Sequence, residues 1–250
     1  MRQKKQYVLI TGASSGIGQV LAINLSRDYD IILHGRDSEK LKQTKLLCNK
    51  DKEQILFTLD LKDIDRIEGS FSSFINENDL EISHYIHSAG FMKMLPLKSI
   101  SLEIINATFA TNVISAALFI KVLSQRKINN DALKTVVLIS SNISNFGAKA
   151  FSIYGASKGA LDALMRSLAV ELAPKVRVNS VLPGAIHTGM TKNIFENKEG
   201  LERMAKDYPL GLGEANDIFE VVGFLISEKS KWITGQQFTV DGGRTINISG

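Results

Sequence analysis

In the stretch SIYGASKG, residues 152–159, Tyr154 and Lys158 stand four apart. On a helix that spacing puts both side chains on one face. A phenol has an ordinary pKa near 10, too high for a general acid–base at neutral pH. An ammonium about 4 Å away, at an effective dielectric of about 20, favours the phenolate by roughly 4 kcal/mol, or about three pK units. Such a pair can hand a proton to, or take one from, an oxygen whose charge is changing. Ser141 directly follows the apolar run TVVLIS. A hydroxyl there can donate a hydrogen bond to a developing oxyanion. Taken alone, Tyr154 and Lys158 also fit an exposed pair snorkelling on a helix.

A second constellation is TGASSGIG, Thr11 to Gly18, after the apolar YVLIT. Gly12 allows a tight turn off a strand, Gly16 lets backbone approach a ligand, and Gly18 lets the next helix pack closely. Ser14, Ser15 and Ile17 belong to the same turn. The helix start then offers free N–H groups and a positive dipole end to a pyrophosphate. Glycines between a first strand and a helix are the context that supports dinucleotide binding; a turn that binds nothing is the alternative. The next apolar run ends in HGRD. A fold selecting NAD commonly places an acid here for the ribose 2′-hydroxyl, but Gly35 stands in that place and Arg36 follows. A guanidinium suits a 2′-phosphate, so NADP(H) is expected, with NAD(H) possible if Asp37 reads the ribose and Arg36 is solvated.

These groups need a frame. Strands are predicted at 7–11, 30–35, 54–60, 83–88, 135–140, 176–182 and 236–241. Helices are predicted at 16–27, 38–47, 63–76, 101–123, 152–172 and 214–227. Alternation of near-continuously apolar strands with amphipathic helices implies an α/β fold: a doubly wound, mainly parallel seven-stranded sheet with helices on both faces. No linker or repeat divides residues 1–250, so a single domain is expected. Residues 184–210 carry little strand signal and read as a substrate-binding loop or lid.

The chain resembles the short-chain dehydrogenase/reductase family along essentially its whole length, and looks nearest to 3-oxoacyl-carrier-protein reductases. The glycine spacing is G-x-x-x-G-x-G, and Ser141 precedes Tyr154 by 13 residues in a Ser-x₁₂-Tyr-x₃-Lys pattern. ATNVIS holds Asn112, the counterpart of the family's fourth catalytic member. HSAG, 87–90, keeps Ala89 and Gly90 of the usual Asn-Asn-Ala-Gly; His87 and Ser88 depart from it and read as a structural variation. LPGAIHTGM and WITGQQFTVDGG also match. The resemblance implies hydride transfer between a nicotinamide and a carbonyl or secondary alcohol. Tyr154 would be the general acid–base, and Ser141 the oxyanion donor. Lys158 would also hold the nicotinamide ribose, and Asn112, at a local helix irregularity, would hold through its backbone a water linked to the lysine. It further implies adenine contacts from Asp60 and Leu61, a turn at Pro183–Gly184 over the site, and carboxamide contacts from Ile186 and Thr188. For Asp60, a helix cap is equally open.

Substrate contacts are expected from 91–97, 142–153 and 184–208, largely apolar segments. Met92 and Met94 either shape the pocket or belong to the core. The carrier-docking arginines of the resembled reductases have no clear counterparts, since Lys175 and Ala132 fall nearest them. A small-molecule carbonyl or alcohol is therefore expected, a 3-oxoacyl thioester among the options, and a carrier-bound substrate is doubtful. An NAD-linked sugar or polyol dehydrogenase and a non-catalytic dinucleotide sensor are the rival readings. Ala156, Gly159, Ala160 and Ala163 are small enough for close helix contact, and by resemblance a homotetramer or homodimer is expected. Net charge is +4 over 250 residues with no long basic block, so no nucleic-acid arm is expected. No metal-ligand pattern stands out. Cys48 is the single cysteine, which fits a reducing compartment. The first apolar run is too short for a signal-peptide core, and no stretch approaches the roughly 18 apolar residues of a membrane span. A cytoplasmic protein is the expectation.

Overall fold

The structure is a computed structural model that describes residues 5–187, 202 and 204–247. Among these, seven strands form one sheet: β1 (Gln6–Thr11), β2 (Asp30–Gly35), β3 (Gln54–Thr58), β4 (Glu81–His87), β5 (Thr135–Ile139), β6 (Arg177–Pro183) and β7 (Gln237–Val240). Every pairing is parallel, in the order β3-β2-β1-β4-β5-β6-β7. Strand-by-strand alternation explains why the sheet is covered on both faces. Tyr7 and Leu9 belong to one core cluster, Val8 and Ile10 to the other. The first cluster takes helices α3 (Ile64–Glu77), α5 (Ser115–Leu123) and α7 (Ser152–Glu171) through Phe71, Phe119 and Leu161. The second takes α1 (Gly16–Leu25), α2 (Ser38–Leu47) and α8 (Ala215–Ile226) through Leu21, Leu41 and Val222. A register shift where Tyr7 pairs with Ile82 and Val8 with His84 lets Ile82 and Tyr85, three apart, share one face.

The strand order reverses between β1 and β4. Crossovers on either side of that point run to opposite faces, so a crevice opens at the strands' carboxyl ends. Both constellations read from the sequence lie there.

The expected long helix, 101–123, is interrupted. It runs as α4 (Leu102–Phe109), a π-helical turn (Ala110–Ile114) and α5. A short α6 (Arg126–Asn129) follows. Against the expectation, Leu102–Leu123 is long and apolar enough, by length and composition, to cross a membrane. Here it serves as a core layer, with Phe119, Ile120 and Val122 buried in the first cluster. Thr188 and most of the predicted 184–210 loop lie outside the described residues.

Candidate active site

At the first turn, Gly12 has φ +72°, and a Cβ on it would come within 2.8 Å of the Ala89 Cα. A Cβ on Gly18 would stand 2.3 Å from the Gly12 carbonyl oxygen. The absent side chains therefore let α1 start directly against β1 and β4. Ser15 is the N-cap of α1, yet its side chain makes no capping bond and the first turn carries no acid. Its first residues line the crevice, and no side-chain carboxylate among the described residues accepts a hydrogen bond from their N–H groups. That arrangement fits a pyrophosphate.

The crevice is a continuous cleft of about 470 Å³. Gly12, Ser14, Ser15, Gly16, Ile17 and Gly18 line it from the first turn, and Arg36, Asp60 and Leu61 from the ends of β2 and β3. Ala89 and Gly90 line it after β4, and Pro183, Gly184 and Ile186 after β6. Ser141, Tyr154 and Lys158 meet in the same cleft. These volumes and groups suit a dinucleotide with its adenosine end toward β2 and β3 and its nicotinamide end toward Tyr154.

Asp37 caps α2, accepting from the Glu39 and Lys40 N–H groups at 3.1 Å each, and its other oxygen lies 3.9 Å from Lys40 Nζ. It is therefore engaged locally. Asp60 accepts from the Lys62 N–H at 3.1 Å, while Asp63 is the N-cap of α3, so Asp60 tightens the turn before the helix rather than capping it. Lys62 joins Arg36 in lining this end, a second cation that no motif announced.

At the other end, Tyr154 and Lys158 share the first two turns of α7. The Lys158 ammonium donates to the Ile139 carbonyl at 2.8 Å and stands 5.7 Å from the centre of the Tyr154 ring. Burial pushes the Tyr154 phenol up to about 12, opposed by a hydrogen bond with Ser141. Burial pushes Lys158 down to about 8, opposed by the negative charge of Asp162. The sequence expectation was a tyrosine drawn toward neutrality by the ammonium. In this arrangement desolvation of both groups outweighs that attraction, because the lysine is turned to a carbonyl rather than to the phenol. Tyr154 is thus a protonated phenol at neutral pH. Asp162 lies one helical turn beyond Lys158, only 2% exposed, and neither oxygen has a hydrogen-bond partner among the described residues.

Asn112 is fully buried and does not line the cleft. Its amide accepts from the Phe91 N–H at 2.7 Å and donates to the Phe91 carbonyl at 3.1 Å and the Ser157 hydroxyl at 2.9 Å. It fastens the segment after β4 to α7 from within the π-turn. His87 anchors the same turn. Its ring Nε2 bonds the Thr111 carbonyl at 3.2 Å, which requires a proton there, so Nδ1 accepts from Tyr85 at 2.8 Å and Thr11 at 3.0 Å. Burial and the nearby Lys158 hold its pKa down to about 3, so it is a neutral strut.

The expected pocket walls appear at Phe91, Met92, Ile143, Phe146, Phe151 and Tyr208. The Leu95 N–H bonds the Ala150 carbonyl at 3.0 Å and joins two of the walls. Met94 is 45% exposed and outside the core. Asp207, within the expected 184–208 wall, lines the cleft too, whereas sequence reasoning missed Arg244 and His34, which also line it. Arg244 follows the last strand and carried no motif signal.

The family model described as enoyl-(acyl carrier protein) reductase matches residues 12–245. The glucose 1-dehydrogenase of Gluconobacter oxydans is 30% identical over 96% of this chain and 91% of its own. A 3-oxoacyl-[acyl-carrier-protein] reductase of Buchnera aphidicola is also 30% identical, over 97% and 98%. The solved structure of 4-hydroxyisoleucine dehydrogenase complexed with NADH superposes with a TM-score of 0.90 at 25% identity, over 97% of this chain and 99% of that one. The chain belongs to the short-chain dehydrogenases/reductases, NAD(P)-binding oxidoreductases that act on CH–OH groups.

Proposed function

We propose that this enzyme reduces a small carbonyl compound, or oxidises the matching secondary alcohol, with NADP(H) and with Tyr154 as the proton donor. The convergence of Ser141, Tyr154 and Lys158 at one end of the cleft carries this reading. The bound nicotinamide would supply or accept the hydride. Tyr154, held protonated by burial, gives its phenolic proton to the carbonyl oxygen as negative charge builds there. Ser141 donates a second hydrogen bond to the same oxygen. Lys158 keeps a positive charge beside the phenol, which favours the phenolate left after transfer. Asn112 and His87 act by fixing the π-turn and the Phe91 segment.

Several features support the finer points. No carboxylate among the described residues pairs with Arg36, and Lys62 lines the same end, so two cations face the place of a ribose 2′-phosphate. Lys175 is held 3.5 Å from Asp131, and Ala132 is buried, which favours a free small molecule over a carrier-bound one. Ala156 and Ala163 are exposed on α7, which supports assembly through that helix into a homodimer or homotetramer.

A panel of ketones, 3-oxoacyl thioesters and keto-sugars, assayed with NADPH and NADH, tests the reading. Turnover is expected with higher kcat/KM for NADPH. Tyr154→Phe is expected to lose about 10²–10⁴-fold in kcat while NADPH still binds by fluorescence titration. Retained turnover in Tyr154→Phe, or preference for NADH, overturns the corresponding part. Keto-sugar turnover with NADH would instead favour a sugar dehydrogenase.

A further inference from the structure

We infer that Arg244 is a specificity residue that takes a carboxylate on the substrate, remote from the reacting carbonyl, so that the preferred substrates are keto acids or hydroxy acids. This deepens the proposed oxidoreductase reading and rests on it.

The charges along the cleft are unevenly placed. Arg36, Asp60 and Lys62 lie at the ends of β2 and β3, where the adenosine belongs. Beyond Ser141, the charged lining residues among those described are Lys158, Asp207 and Arg244. Lys158 is committed to the Ile139 carbonyl. Arg244 is therefore the cation left for the substrate itself.

Its position is built, not incidental. Arg244 opens a short 3₁₀ turn, Arg244–Ile246, just after β7. Asp241 holds that turn: its carboxylate accepts from the Gly243 N–H at 3.2 Å, the Thr245 N–H at 2.8 Å and the Thr245 hydroxyl. The same carboxylate accepts from the Asn142 amide at 3.2 Å, and Asn142 is the neighbour of Ser141. The turn that carries Arg244 is thus tied to the strand end that carries the oxyanion donor. The guanidinium lies 5.7 Å from the centre of the Phe146 ring, within reach of a cation–π contact in the cleft wall.

The partner it already has is weak. One guanidinium nitrogen meets one Asp207 oxygen at 3.3 Å, with the two side chains 32% and 37% exposed. A half-exposed, single-contact pair of this kind contributes little. A substrate carboxylate entering the cleft would make a two-pronged contact in a drier place and displace it. The apolar walls from Phe146, Phe151 and Met92 would then hold the carbon chain between the two polar ends.

The test uses matched pairs of keto acids and their primary amides over a series of chain lengths, with NADPH. For the wild type, kcat/KM for the acid is expected to exceed that for the amide by about 10- to 100-fold at an optimal length. Arg244→Met is expected to bring the ratio toward one, mainly through KM of the acid. Asp207→Asn, which removes the competing carboxylate, is expected to raise the ratio. Titration of the same acids into the enzyme–NADP⁺ complex by calorimetry separates the two readings. Acid binding that Arg244→Met abolishes, without turnover of any pair, keeps the anion site and sinks the oxidoreductase reading. Equal kcat/KM for acid and amide at every length, or an equal loss for both in Arg244→Met, overturns the proposal and leaves Arg244 as a tie between the C-terminal turn and Asp207.

Discussion

Lys158 shows how a residue of the proposed catalytic set can cost the fold stability. Its folded pKa, about 8, is below the ordinary 10.5 because burial disfavours the ammonium. Between those values the unfolded chain binds more protons than the folded one, so stability contributed at this site rises with pH through that window. Below pH 8 the full penalty applies, of the order of 3 kcal/mol for a shift of this size. Lys158→Met removes the buried charge but leaves the Ile139 carbonyl without its donor, which takes back about 1 kcal/mol. The variant is therefore expected to be inactive yet more stable than wild type by about 1–2 kcal/mol at pH 7, the gap closing toward pH 10.5. Urea unfolding at pH 7 and pH 10 measures it. A less stable variant at pH 7 would mean that the attraction of Asp162 outweighs burial.

At the scale of elements, two helical glycines make opposite demands. A Cβ on Gly18, in α1, would meet the Gly12 carbonyl oxygen at 2.3 Å, whereas a Cβ on Gly69, in α3, would meet nothing within 4 Å. Gly18→Ala must push α1 off the first turn, at about 1–3 kcal/mol, and misdirect its N–H groups. A loss of at least about tenfold in NADPH affinity is expected by fluorescence titration. Gly69→Ala is expected to stabilise by about 0.5–1 kcal/mol through helix propensity, with NADPH affinity unchanged. Unaltered cofactor binding in Gly18→Ala would remove the first turn from the site. The contrast also marks what the sequence could tell. The strands were legible because parallel, doubly covered strands must be near-continuously apolar, as in YVLIT and TVVLI. The first turn was legible because its glycines sit between such a strand and a helix. The π-turn at Ala110–Ile114 was not legible from periodicity, which continues across it; only the family resemblance implied a helix irregularity at Asn112, and its cause is tertiary: Asn112 bonds Phe91 and Ser157, and His87 bonds the Thr111 carbonyl. Arg244 was illegible for a related reason. Contacts between residues far apart in sequence bring its turn to the cleft, among them the Asp241–Asn142 bond and the bond from the Asn247 amide to the Asp207 carbonyl. The protonation of Tyr154 depended on which way Lys158 turns, and spacing alone does not state that.

For the whole molecule, the question is which faces the single chain leaves unsatisfied. The helix α7 buries Leu161, Met165 and Ala169 against the sheet, while Ala156, Ala163 and Val170 are exposed. Leu102 on α4 is 70% exposed. Burial inside the monomer, the alternative reading of the small residues of α7, is thus not where Ala156 and Ala163 lie. Small exposed side chains allow two helices to approach closely, although Arg166 and Ser167 are exposed beside them. Association through α7 would also stiffen the helix that carries both Tyr154 and Lys158, linking assembly to the geometry of the site. Ala163→Arg puts a bulky charge at the middle of the proposed contact without touching the cleft. Wild type is expected to elute with the light-scattering mass of a dimer or tetramer, and Ala163→Arg as a smaller species with reduced turnover and NADPH binding within about threefold. A monomeric wild type would assign the exposed face of α7 to solvent and leave Tyr154 and Lys158 dependent on packing within the single chain.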